Sequence, residues 1–299
     1  MPQFRARDGE KLHFRALGNG PACLLLHGFA MNSTHWLPFV APLATRYRFI
    51  LPDLRGFGRS HRAPFNQKCI LSNYVEDVED LLNHLDMDRV ALGGISMGAF
   101  TSLQYHRLNG FERISSYLHI DQAPSAMNGD DWKYGLFGDA QEVRIGEFQA
   151  VLDAVDQLNP MTPYKALPDQ VRRELRAAFA EFAASGFANP RIKTFIRRAL
   201  QVESVARRAM PTDNWYAYIQ IIRAYMEQDY DMRPHLSSIQ VPVTLMVGMR
   251  SEMYPPAGQL HIRDLIPHAR VMPFARAGHA IPMEQPLAFA QGLRQFLTA

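Results

Sequence analysis

The chain has 299 residues, 47% of them hydrophobic and 20% charged, a composition that can bury a sizeable core and excludes a disordered chain. Its 32 Lys and Arg against 29 Asp and Glu give a formal charge of +3, too weak a bias for nucleic-acid binding, so the expected partner is a small molecule. The start, Met1-Pro2-Gln3-Phe4-Arg5, lacks the apolar run of a signal peptide, and nowhere do roughly 18 apolar residues follow one another, so no transmembrane segment is expected.

In chain order, residues 23–26 read as a buried strand, and Cys23 within it as a buried thiol. With only Cys69 besides, the usage fits a reducing, cytoplasmic setting. Residues 35–47 read as helix-like and 49–51 as the next strand. A Gly-rich turn follows, Asp53-Leu54-Arg55-Gly56-Phe57-Gly58-Arg59-Ser60, whose polar residues suit a structural role. A helix is expected from Asn73 to about residue 85, because Tyr74, Val78, Leu81, Leu82 and Leu85 share one face and Asn73 with Glu76 form a capping pair. Strands over 90–92 and 114–120 continue the alternation, which predicts a mostly parallel sheet with crossover helices.

The rhythm stops after residue 123 and resumes with a strand over 241–247. Between them the chain reads as several helices, with Ile192, Phe195, Ile196 and Leu200 at helical spacing and breaks near Pro160, Pro168, Pro190 and Pro211. The expected organisation is a core of residues 1–123 and 239–299 carrying an inserted all-helical cap, 124–238, that shields a pocket from bulk water. A final helix from Pro286 turns Phe289, Leu293, Phe296 and Leu297 inward.

The segment Gly94-Ile95-Ser96-Met97-Gly98 has the G-x-S-x-G spacing, after a strand and before a helix. A serine at such a sharp turn stands clear of the sheet, and the Met97 amide, at a helix N-terminus, is placed to donate to an oxyanion. Upstream, an apolar strand ends in His27-Gly28-Phe29, where the Phe29 amide offers a second donor. His27 suits a backbone role there, and His35 suits packing or pocket lining. Gly278-His279-Ala280 precedes the last helix, and His279 is the candidate base that a serine nucleophile requires.

Together with the Gly-rich turn, these segments in this order resemble the α/β-hydrolase fold family from about residue 22 to the C-terminus, apart from the insertion. The resemblance implies a mostly parallel eight-stranded sheet with flanking helices and a Ser, acid, His triad. It makes Ser96 the nucleophile, His279 the base, and Phe29 and Met97 the oxyanion amides.

The chain departs from the family where the acid is usually found, in a Gly-x-x-Asp turn. The turn here is Gly248-Met249-Arg250-Ser251-Glu252, with serine at the acid position. Two carboxylates remain: Asp121, at the end of the preceding strand, which we favour, and Glu252, displaced by one residue. Serine at the elbow argues against the epoxide hydrolase and haloalkane dehalogenase branches, where an aspartate is the nucleophile.

The expected activity is hydrolysis of a carboxylic ester or thioester of a small, largely apolar substrate, with no metal and no cofactor. Trp132, Phe137 and Trp215 are candidates for the substrate pocket. Lys165, Arg172, Arg173, Arg176, Arg191, Lys193, Arg197, Arg198, Arg207 and Arg208 form a basic cap face that suits an acidic carrier or a membrane surface, or else is simply a solvated face. The alternatives are a cofactor-free dioxygenase or C–C bond hydrolase on the same fold, and a non-catalytic ligand-binding member.

Overall fold

A computed structural model describes residues 2–66, 69–209, 214–228 and 230–298. Eight strands, β1 (Gln3–Arg5), β2 (Lys11–Leu17), β3 (Ala22–Leu26), β4 (Arg48–Pro52), β5 (Val90–Ile95), β6 (Ile114–Ile120), β7 (Val243–Gly248) and β8 (Arg270–Phe274), form one sheet in the order β1-β2-β4-β3-β5-β6-β7-β8. β1 with β2 and β2 with β4 are antiparallel; all other neighbours are parallel. The mostly parallel eight-stranded sheet expected from the sequence is present.

Side chains on a strand alternate between faces, and here both faces are covered. β3 sends Leu24 and Leu26 into one core cluster and Cys23 and Leu25 into the other; β4 likewise splits Ile50 from Phe49 and Leu51. Two-sided burial is why these strands read as continuous apolar runs. Helices Ile70–His84 and Met97–Asn109 cover the first face, and the final helix, Pro286–Leu297, covers the second with Phe289, Leu293 and Phe296. Both cysteines are free.

Several local expectations need correction. The helix expected from Asn73 begins at Ile70, so Asn73 is interior instead of a cap, and its Oδ1 accepts the Asn66 N–H at 3.0 Å. The stretch 35–47 is not one helix but short turns, Ser33–Trp36, Leu37–Val40 and Ala41–Leu43, because Pro38 and Pro42 supply no N–H to a continuing ladder.

Between β6 and β7 run helices Gln141–Asp156, Asp169–Ser185, Pro190–Gln201, Glu203–Ala209, Trp215–Glu227 and Arg233–Leu236, with no strand among the described residues. Pro168 caps one of these helices and Pro190 begins another, where a missing N–H costs nothing; Pro211 lies outside the described residues. Phe195 does not join Ile196 and Leu200 in their small core but stands 70% exposed. The excursion leaves and returns side by side, with Ala126 N donating to Tyr230 O at 3.2 Å and Met232 N to Pro124 O at 2.8 Å. Among the described residues no helix is long and apolar enough to cross a membrane.

Candidate active site

β3 lies between β4, which follows it in the chain, and β5, to which the chain returns. Loops leaving β3 and β5 at their C-terminal ends therefore diverge and leave a crevice, the usual ligand position in an open α/β sheet. Ser96 directly follows β5, at φ 53°, ψ −123°, and caps helix Met97–Asn109. Such strained backbone costs about 1–3 kcal/mol and persists only where the surroundings impose it. They do so here: a Cβ on Gly94 would stand 2.4 Å from Ala99 N, and one on Gly98 2.3 Å from Leu26 O. The two glycines let the helix start against the sheet and leave the Ser96 side chain in the crevice.

After β3 the chain turns through Ala30 at φ 59°. Neither the Phe29 nor the Met97 amide N–H has an acceptor among the described residues. His27 fixes this loop: its Nδ1–H donates to Gly28 O at 2.8 Å, and its Nε2 accepts Leu54 N–H at 2.9 Å. Burial pushes the His27 ring down to about 4, and that of His119 likewise. Both are neutral when folded at pH 7, whereas in the unfolded chain they titrate near 6.5. Between those values the unfolded state binds more protons, so stability is full above about pH 6.5 and is lost as pH falls toward 4. Urea midpoints are expected to drop through that window, and less steeply in His119→Gln.

Asp121, fully buried at φ 46° beyond β6, lies against His279, whose Nδ1–H donates to Asp121 Oδ2 at 2.7 Å. The same Oδ2 accepts the Ser251 hydroxyl at 2.8 Å, while Oδ1 accepts Gly248 N–H at 2.8 Å and Gln259 Nε2 at 2.9 Å. The serine at the usual acid position thus supports a carboxylate on the neighbouring strand. Glu252 instead points outward, 63% exposed and 2.5 Å from Lys193 Nζ. Gln259 carried no local sequence signal, because it reaches the carboxylate from helix Pro256–Leu265, beyond the acid turn.

A cavity of about 490 Å³ is lined by Gly28, Phe29, Ser96, Phe182, Met253 and His279, among others. A narrower apolar space of about 50 Å³ shares Ser96 with it and is lined also by Met97, Met127, Leu136, Tyr225 and Tyr254. His35 lines the larger cavity. The three aromatics expected to bind substrate line neither space. Trp132 packs under Arg233, 4.9 Å from its ring, and against Tyr134. Phe137 faces a cavity that shares Phe148 and Phe182 with the narrower space, and Trp215, donating Nε1–H to Thr162 O at 2.8 Å, lines a further apolar space together with Phe29, Phe148 and Phe182. Phe29 and Phe182 line both spaces and Phe148 the narrower one, with the Phe29 and Phe182 rings 5.3 Å apart edge to face. Sequence spacing does not reveal which helix face turns to the crevice. In the Gly-rich turn, the Asp53 carboxylate accepts Ser33 N–H and Arg59 N–H, and Ser60 Oγ accepts His13 N–H. Among the described residues no three His, Cys, Asp or Glu side chains converge as a metal site.

A family model described as the alpha/beta hydrolase family matches residues 23–292. An uncharacterized protein of Mycobacterium tuberculosis is 40% identical over 103 residues, 34% of this chain and 30% of the relative, so the chain matches under a third of that protein's length. The pimeloyl-[acyl-carrier protein] methyl ester esterase of Nitrosomonas europaea is 26% identical over 283 residues, 93% of this chain and 96% of that one. Among solved structures, an esterase from Exiguobacterium antarcticum superimposes with a TM-score of 0.77 at 22% identity, covering 99% of both chains.

Proposed function

Because this chain belongs to the alpha/beta hydrolase family, we propose that it is a carboxylic ester hydrolase acting through an acyl-enzyme on Ser96. One observation carries the reading: the 2.7 Å contact of His279 Nδ1 with the buried Asp121 carboxylate, beside the cavity that Ser96 and His279 share. With Nδ1–H committed to Asp121, Nε2 is the nitrogen left to take the Ser96 proton as Oγ attacks the carbonyl carbon. The Phe29 and Met97 amides stabilise the oxyanion. His279 returns the proton to the departing alcohol or thiol, then activates water against the acyl-enzyme. Asp121 stabilises the imidazolium in both steps.

The cavity linings support a division of the substrate between the two spaces. His279 lines only the larger cavity, so the leaving group that it protonates sits there, and the acyl chain enters the narrow space past Met97. The helical segment 124–238 acts as a cap, Phe148 and Phe182 closing over the reacting carbonyl and excluding water. A carrier-borne substrate is favoured by Lys165, Arg173, Arg191, Arg198, Arg207 and Arg208, all exposed and without an ion pair among the described residues. The Nitrosomonas relative is named for an ester on an acyl carrier protein.

The test is a p-nitrophenyl ester series from acetate to long acyl chains, together with a phosphonate probe. Short acyl chains are expected to turn over fastest and the probe to label Ser96. For a carrier-borne ester, but not a free one, added salt is expected to weaken kcat/KM. No hydrolysis of any ester and no labelling would favour a ligand-binding role, and C–C cleavage or oxygenated products the alternative chemistries.

A further inference from the structure

We infer that Glu284 is a positioning residue that mounts the base, His279, on the helical segment as well as on the sheet. The inference rests on the reading of His279 given above. Glu284 ends the short helix Ile281–Glu284, half-buried; its side chain does not line the larger cavity, although its neighbours Pro282 and Met283 do. Its Oε2 accepts Gly278 N–H at 2.6 Å, its Oε1 accepts Asn189 N–H at 3.2 Å, and Ala188 N–H lies 3.0 and 3.1 Å from the two oxygens. One carboxylate therefore joins the residue before His279 to the turn between helices Asp169–Ser185 and Pro190–Gln201.

A second set of contacts runs beside the first. Ala280 N, just after His279, donates to Gly186 O at 2.7 Å. A Cβ on Gly278 would stand 2.8 Å from Ala188 N and 3.0 Å from Gly186 O, so the two backbones touch. Both neighbours of His279 are thus tied to residues 186–189, while its ring is tied to Asp121 on the far side.

Hydrogen bonds to a charged acceptor are stronger than neutral ones. Lifting the segment at this edge would therefore drag residues 278–280 with it. A base held from two sides also keeps Nε2 in register with Ser96, where a displacement of about 1 Å costs on the order of a hundredfold.

Glu284→Gln tests this in the full chain. A glutamine keeps the length but turns an NH2 toward either Gly278 N–H or the 188–189 amides, so one side of the bridge is lost. With p-nitrophenyl acetate, kcat is expected to fall about tenfold or more while KM stays within about twofold, and the low-field proton resonance of the His279–Asp121 hydrogen bond to shift or broaden. A part that merely stabilises the fold would change the thermal midpoint and leave that resonance unmoved. Gly278→Ala probes the same junction with the carboxylate intact and is expected to have the same signature should the glutamine variant not fold. Unchanged kcat and an unchanged resonance in the folded variants overturn the inference. His279→Ala separates the two levels: ester hydrolysis that survives it sinks the base assignment itself.

Discussion

Ser96→Ala is expected to lower kcat for a short p-nitrophenyl ester by about a millionfold and Asp121→Asn by about 10⁴, whereas Glu252→Gln leaves it near wild type because an exposed ion pair contributes little. The asparagine result follows from its neighbours. Placed toward Gly248 N–H and Gln259 Nε2, both donors to Oδ1, an asparagine NH2 meets only N–H groups. It therefore turns toward His279, where the Ser251 hydroxyl, now on the Oδ2 side, can rotate to accept from it. His279 must then accept at Nδ1 and carry its proton on Nε2, the tautomer that cannot receive the Ser96 proton. Single-turnover kinetics of purified, folded variants decide the matter. A larger loss in Glu252→Gln than in Asp121→Asn would sink the assignment of the acid.

The parts of the fold legible in the sequence are those buried on both faces of the sheet. Residues 23–26, 49–51 and 117–120 stand out because neighbouring strands and helices bury every position in them. β1, β2 and β8 leave no such signal, for the opposite reason. β1 and β8 are the sheet's edges, β2 is half exposed, and Pro273 interrupts the pattern of β8. The helix start at Ile70 was obscured because Asn73 has the chemistry of a cap but uses it to hold Asn66.

The site divides in the same way. Ser96 with its glycines, and His27-Gly28-Phe29, are short-range motifs whose backbone demands only certain residues meet, so a sequence displays them. Asp121 is legible as a strand-end carboxylate because serine stands at position 251, with Glu252 as its one rival in the sequence. The donors Ser251 and Gln259 that hold it, and Glu284 beneath His279, come together only through the fold. The pocket aromatics were the least legible. Trp132, Phe137 and Phe182 are alike in composition, and only the packing of the helices decides that Phe182 meets Phe29 while Trp132 meets Arg233.

Arg55→Met is expected to lower stability by about 3–5 kcal/mol, the usual cost of stranding one partner of a buried ion pair. The Arg55 side chain is 1% exposed, donating Nε–H and Nη2–H to the two oxygens of Asp77 at 3.0 and 2.6 Å, and Nη1 lies 2.8 Å from Asp8 Oδ2. It thus ties the turn after β4 to helix Ile70–His84 and to the loop between β1 and β2. Burial raises the Asp77 carboxyl to about 6 even with Arg55 bonded to it. Without the guanidinium it rises further, so folded Asp77 is protonated at a pH where unfolded Asp77, with its ordinary value of 3.8, is ionised. A carboxyl raised on folding contributes its stability below the unfolded value and loses it as pH climbs through the folded one. The penalty of Arg55→Met should therefore be smaller at pH 5 than at pH 8, readable in urea midpoints at the two values. Asp77 can also be removed. The double variant Arg55→Met, Asp77→Leu puts an apolar pair of similar volume in the same space, while Asp8, an exposed residue, can turn to water. That variant should recover most of the loss, because the single substitution strands a buried carboxyl that must either stay charged without a partner or take up a proton, and does not merely remove a contact. A double variant no more stable than the single one would mean that Arg55 acts through its bond to Pro64 O at 2.7 Å, holding the turn itself.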